Sequence, residues 1–114
     1  MILSLPLPPS SNSLFANVPR RGRVRTTAYK NWIDDADDYF LMQRRNVVPI
    51  GGPYAVSIRV PFKMRGDIDN RAKPLLDWLV SRELTADDKH LHRLTIERGD
   101  TIGPKMCEIE VREA

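Results

Sequence analysis

Tyr54-Ala-Val-Ser-Ile-Arg-Val-Pro-Phe-Lys-Met-Arg-Gly-Asp67-Ile-Asp69-Asn-Arg-Ala-Lys73-Pro-Leu-Leu-Asp77 contains a strand, an acidic turn and the start of a helix, in that order. Within Tyr54–Phe62, apolar and polar residues alternate, with Val56, Ile58 and Val60 on one face, which predicts a strand. Beyond the acids, Ile68, Ala72, Leu75, Leu76, Leu79 and Val80 fall on one helical stripe. Pro74 lacks an amide and disfavours helical geometry at Lys73. The regular helix is therefore expected from about Pro74, with residues 67–73 as its approach.

Upstream, residues 1–7 predict a short strand that ends early or lies at an edge, because Pro6, Pro8 and Pro9 cannot sit in a central ladder. Ser10–Ser13 reads as a loop, and residues 14–25 as a loop or loose hairpin around Asn17, Pro19 and Gly22. A helix is expected from Thr26 or Thr27, either of which can cap its first amides. Tyr29, Trp32, Ile33, Ala36 and Phe40 share one face of it. Asp34, Asp35, Asp37 and Asp38 fall mostly on the others, with Lys30 four residues before Asp34 to offset repulsion. Arg44 and Arg45 close the helix with the sign that its C-terminal dipole favours. Residues 83–90 form a connector carrying Asp87-Asp88, and residues 91–98 and 106–112 predict two further strands. The order β-α-β-α-β-β defines an α+β class, two main helices on a mixed or antiparallel sheet of about four strands. At 114 residues, one domain spanning 1–114 is expected.

Composition narrows the function classes. A hydrophobic fraction of 41% and a charged fraction of 29% suit a globular protein. Aromatics at 7% argue against an extended base-stacking surface. A single cysteine, Cys107, excludes an intrachain disulfide and a thiolate zinc cluster, and fits a reducing cytoplasm. The opening residues lack a basic n-region, and no apolar run reaches membrane length. Net charge is +3, and Arg20, Arg21, Arg23 and Arg25 cluster within six residues, the footprint of a polyanion partner or of a solvated basic surface.

Asp67 and Asp69 carry the chemistry. If they continue the extended geometry of the preceding strand, both side chains leave one face and can approach one cation. Magnesium takes oxygen ligands, keeps several waters and often uses only one or two protein carboxylates besides substrate phosphates. Asp87 and Asp88 are the available third acids. Being adjacent, they point apart in extended chain, so one of the two is expected to be a ligand. Lys73 can neutralise phosphate charge, and Asn70 can fix a carboxylate or phosphate by hydrogen bonding. The plainer reading of D-x-D-N is a capping turn before a helix, and that of Asp87-Asp88 a capped turn of its own. Acid clustered within a basic chain favours the cation and phosphate reading.

These residues resemble the RusA-type Holliday junction resolvases. The resemblance rests on the opening Leu5-Pro-Leu-Pro-Pro-Ser-Ser-Asn12, on the D-x-D-N-x-x-K-x-x-x-D pattern at Asp67, Asp69, Asn70, Lys73 and Asp77, and on the later Asp87-Asp88. It implies a small homodimeric endonuclease that uses Mg2+, or Mn2+, to cut four-way DNA junctions by metal-activated water. It also implies Asp67, Asp69 and Asp88 as metal ligands, Lys73 as the functional lysine, Asn70 near the site, and Asp77 with Asp87 in support. Arg20, Arg21, Arg23, Arg25 and Arg71 are the candidate DNA contacts. The acidic helix face departs from what DNA contact calls for, so it is expected to turn away from DNA or toward a partner protomer. A non-cleaving branched-DNA-binding module and a small-nucleotide phosphohydrolase are the competing functions. His90 and His92 read as the solvent face of a strand rather than a metal pair. Cys107, Trp32 and Trp78 read as core. Phe62 and Met64 read equally as packing or as a wedge into DNA.

Overall fold

The computed structural model describes the backbone of residues 1–114 and every side chain except that of Asn46. Four strands form a mixed sheet: β1 (Ile2–Pro6), β4 (Tyr54–Pro61), β5 (Leu91–Gly99) and β6 (Met106–Glu113), in the spatial order β1-β6-β4-β5. A separate two-stranded ribbon pairs β2 (Phe15–Val18) with β3 (Gly22–Arg25). Two helices complete the α+β fold, α1 (Thr27–Gln43) and α2 (Ala72–Ser81).

β4 is one of the two inner strands of the sheet, flanked by β6 and β5. It runs antiparallel to β6 and parallel to β5, with Tyr54 beside Leu91 and Pro61 beside Gly99. Val56, Ile58 and Val60 share the core with Ile109 and Val111 of β6 and with Leu3 and Leu5 of β1. The other face of the sheet is polar: Arg59 lies between Glu97 at 3.5 Å and Glu108 at 3.6 Å. Gly99 leaves room for this arginine, since a Cβ there would meet Arg59 Cδ at 2.6 Å. Parallel strands need a crossover, and α2 supplies it between β4 and β5.

β1 lies at the edge, as its prolines require, and its free side is covered. Gln43 at the end of α1 accepts from the Ser4 amide and donates to the Ser4 carbonyl, each at 2.8 Å. That occupies backbone groups which would otherwise offer a template to another strand. Trp32 donates its indole N–H to the Pro6 carbonyl at 2.8 Å, tying the same helix to the end of β1. Thr26 caps α1, accepting from the Tyr29 amide at 3.2 Å.

Several expectations need adjustment. Residues 15–25 form an ordered ribbon whose turn carries Arg20 at φ +68° and Gly22 at φ +73°. Arg44 and Arg45 sit just past the last residue of α1. α2 begins at Ala72, two residues before Pro74, because a proline in the first turn gives up an amide that has no intrahelical partner anyway. Asp67 and Asp69 do not continue β4. The strand ends at Pro61, and Ile68–Arg71 is a 3-10 turn that runs into α2.

The acidic helix face is explained in part by helix packing. Asp37 accepts from Arg82 Nε at 2.6 Å, from Arg82 Nη2 through its other oxygen, and from the Trp78 indole at 2.9 Å. This pins α1 to α2 through one carboxylate. The Arg82 hydrogen bond, with help from Trp78 and against partial burial, holds the Asp37 carboxyl below its ordinary range. Asp37→Asn is expected to destabilise the fold by roughly 1–2 kcal/mol at neutral pH. Because the folded-state pKa is depressed, that contribution is present above the unfolded pKa and is lost as pH falls through the folded one. Urea titrations of both proteins across the acidic range would therefore converge at low pH.

Candidate active site

The acidic turn is held on two sides by other segments of the chain. Ser11, in the 3-10 turn Ser11–Ser13, donates its hydroxyl to the Asn70 carbonyl at 3.0 Å. Arg71 donates to the Pro8 carbonyl through one guanidinium nitrogen and to the Arg65 carbonyl at 3.5 Å through the other. The Pro8–Ser13 segment and the D-x-D-N segment, far apart in sequence, are thus one local structure. On the other side Arg98 of β5 donates to the carbonyls of Phe62, Met64 and Gly66. Gly66, at φ +86°, turns the chain immediately before Asp67 in a conformation that favours glycine.

Asp67 and Asp69 are exposed. Among the described residues neither carboxylate forms an ion pair, although Lys63, Arg65, Arg71 and Lys73 are near in sequence. Lys73 is directed to Asp77 instead, at 3.3 Å, one helical turn on. Arg71, a candidate phosphate contact, spends its fork on backbone carbonyls.

Asp87 caps the short turn Asp88–His90, accepting from the Lys89 amide at 3.1 Å. This bond, together with one to Asp88, lowers the Asp87 pKa. Asp88 is shifted upward, first by its hydrogen bond with Asp87 and then by the charge of Asp87; Asp77 adds to the shift and Lys73 opposes it. Asp88 and Asp77 line one cleft. That cleft, of about 450 Å³, is lined by Arg25, Tyr29, Asp77, Arg82, Asp87 and Asp88 among others. Asp67 and Asp69 do not line it. Among the described residues no group of three or more His, Cys, Asp or Glu side chains stands at metal-ligating separation. Asp67 and Asp69 are an exposed pair just before α2, and Asp88 stands on the turn that lines a cleft with Asp77. A shallow groove of about 910 Å³ lies elsewhere, between Ile2, Leu41, Met42 and Val47, with only Arg44 and Arg45 as ionisable lining.

The arginine cluster becomes a ribbon. Pairing of Phe15 with Arg25 and of Asn17 with Arg23 puts these four side chains on one face. Arg23 lies over the Phe15 ring at 4.2 Å and Arg25 over the Tyr29 ring at 5.7 Å. Such stacking holds each cation in place while leaving its N–H groups toward solvent. Arg20 and Arg21 are exposed at the turn. Trp32 and Trp78 are core, as expected, and Cys107 is buried, its thiol pushed up to about 12 by that burial. Phe62 is 62% exposed, whereas Met64 is buried.

Arg98 escaped the sequence reading. A signal was there: Leu94, Ile96 and Arg98 occupy alternate positions of β5, beside Val56, Ile58 and Val60. A cation where the period calls for an apolar residue marks a polar task at that end of the sheet.

A family model described as Endodeoxyribonuclease RusA matches residues 6–112. The chain belongs to the RusA endodeoxyribonuclease family, and is by that membership a DNA nuclease. No curated relative matches the chain. No helix among the described residues is long and apolar enough to cross a membrane.

If Arg71 serves the backbone rather than DNA, its loss is felt without DNA present. Arg71→Ala is expected to cost roughly 1–2 kcal/mol in urea unfolding of the free protein, because the Pro8 carbonyl loses a charged donor. Arg71→Lys, a point charge without the fork, is expected to recover little of it.

Proposed function

We propose that residues 1–114 form one endonuclease domain that resolves four-way DNA junctions with a divalent cation, Mg2+ or Mn2+. The observation that carries this reading is the exposed, unpaired Asp67–Asp69 couple at the start of α2, in a chain of the RusA family. Two hard oxygen donors without a protein partner fit the demands of Mg2+, which takes few protein carboxylates and retains water. Asp67 and Asp69 would hold the ion, with Asp88 as the third carboxylate. When bound, the ion would supply Lewis acidity at the scissile phosphate.

The chain's own groups do the rest. Lys73, on the same first turn of α2, places positive charge beside the phosphate, and Asp77 holds its ammonium while the site is free. Asn70 offers an uncharged amide for orienting a carboxylate or phosphate. Asp87 fixes the turn that carries Asp88. The ribbon arginines, Arg20, Arg21, Arg23 and Arg25, bind phosphates along the DNA arms. In a homodimer, a two-fold axis would present two such sites to strands of like polarity, and junction shape would select the substrate. The buried thiol of Cys107 suits a reducing, cytoplasmic setting.

Cleavage of a labelled four-way junction beside a linear duplex, with magnesium or with chelator, tests the proposal. Paired, magnesium-dependent nicks in the junction are expected. Asp69→Asn should lower the rate by roughly 100-fold or more while keeping or improving junction binding, since a negative charge near phosphate is removed. Replacing both Arg23 and Arg25 with Ala should weaken binding to all DNA alike and reduce the slope of log K against log salt by about 2. The second reading, a non-cleaving module for branched DNA, draws on the lack of a three-acid cluster among the described residues. Tight junction binding with no cut in any divalent metal would establish it instead.

A further inference from the structure

Arg98 is the last residue of β5 on the core-facing side of the sheet, at the rim, beside Val60. Its guanidinium donates through Nη1 to the Phe62 carbonyl at 3.0 Å and to the Met64 carbonyl at 2.7 Å. Through Nη2 it donates to the Gly66 carbonyl at 3.0 Å. Three carbonyls at alternate residues are thus gathered on one planar cation. The segment they belong to has little else to fix it. β4 has ended at Pro61, and outside the sheet ladder the only backbone hydrogen bond that the segment makes among the described residues is from the Met64 amide to the Pro61 carbonyl, at 3.1 Å. Arg71 touches the intervening Arg65 carbonyl at 3.5 Å. The next residue after Gly66 is Asp67.

We propose that Arg98 is the positioning residue of the acidic turn, fixing through the Phe62, Met64 and Gly66 carbonyls where Asp67 and Asp69 stand. This inference rests on the reading of Asp67 and Asp69 as the cation-holding pair. Arg98 makes no ion pair with an acid among the described residues, so its charge is not spent on a surface salt bridge. Three of its five N–H donors are already committed to the backbone of this loop. A guanidinium suits the task because its donors lie in one fixed plane, whereas a lysine offers a single point of attachment. A loosened loop would leave the two carboxylates sampling many separations, and cation affinity and turnover would fall together.

The test uses the full chain and the variants Arg98→Ala and Arg98→Lys. Three quantities are measured: junction cleavage kinetics at saturating Mg2+, junction affinity without metal, and Mn2+ affinity by electron paramagnetic resonance. Both variants are expected to lose roughly 10–100-fold in kcat and in Mn2+ affinity, with KM and metal-free junction affinity unchanged. Arg98→Lys keeps the charge and most of the stem, and carries the test if Arg98→Ala does not fold. Wild-type kcat and Mn2+ affinity in the folded variants overturn the positioning role. A raised KM and weakened junction binding at unchanged kcat also overturn it, since Arg98 would then be a phosphate contact. If the wild type cuts no DNA, the nuclease reading of the acid pair fails on its own, and the Mn2+ affinities still decide whether Arg98 orders that pair.

Discussion

The parallel pairing of β4 with β5 is the constraint on which the rest of this structure depends. Two parallel neighbours cannot be joined by a tight turn, so the chain must leave β4 at one end of the pair and re-enter β5 at the other. α2 makes that return, and it can do so only because one stripe of it is apolar enough to lie on the sheet. The two acidic turns are the two ends of this crossover. Asp67 and Asp69 mark the departure from β4, and Asp87 and Asp88 mark the arrival at β5.

The cations divide by task, and geometry rather than residue type decides which is which. Arg59, Arg82, Arg71 and Arg98 are spent inside the molecule: the first two on carboxylates, the last two on backbone carbonyls. A planar guanidinium can join segments that have no regular hydrogen-bonding partner, and here it does so around the acidic turn. Arg20, Arg21, Arg23 and Arg25 are left on a ribbon that projects from the sheet as a separate element, two of them stacked on aromatic rings. Net charge alone treats these groups as equal. The second set is exposed and, among the described residues, makes no ion pair, which leaves it free for a polyanion.

Much of the fold was legible because its signals are local. The alternation in Tyr54–Phe62, the stripe of α1 from Tyr29 to Phe40 and the edge position imposed by Pro6 each follow from side-chain spacing or from a missing amide. The first turn of α2 was misplaced by two residues because Pro74 was read as a boundary, whereas a first-turn proline gives up nothing the helix uses. Whether Asp67 and Asp69 extend the strand is not legible locally, because nothing in the spacing announces that β4 stops at Pro61. Gly66 holds the hint, since a glycine there allows the left-handed turn that separates strand from acids.

By itself, the sequence determined the α+β class, the two amphipathic helices, the acid pair with its neighbouring Lys73, and the resemblance that family membership bears out. Those features depend on residue spacing, which needs no partner to be read. Only the tertiary structure decided that Asp37 joins the two helices, that Gln43 covers the free edge of β1, and that Ser11 and Arg71 bind the N-terminal segment to the acidic turn. It alone decided that Arg98 holds the loop before Asp67. Each of these is a contact between residues tens of positions apart, and a hydrogen bond of that kind is specified by the three-dimensional path of both segments, which no local pattern encodes.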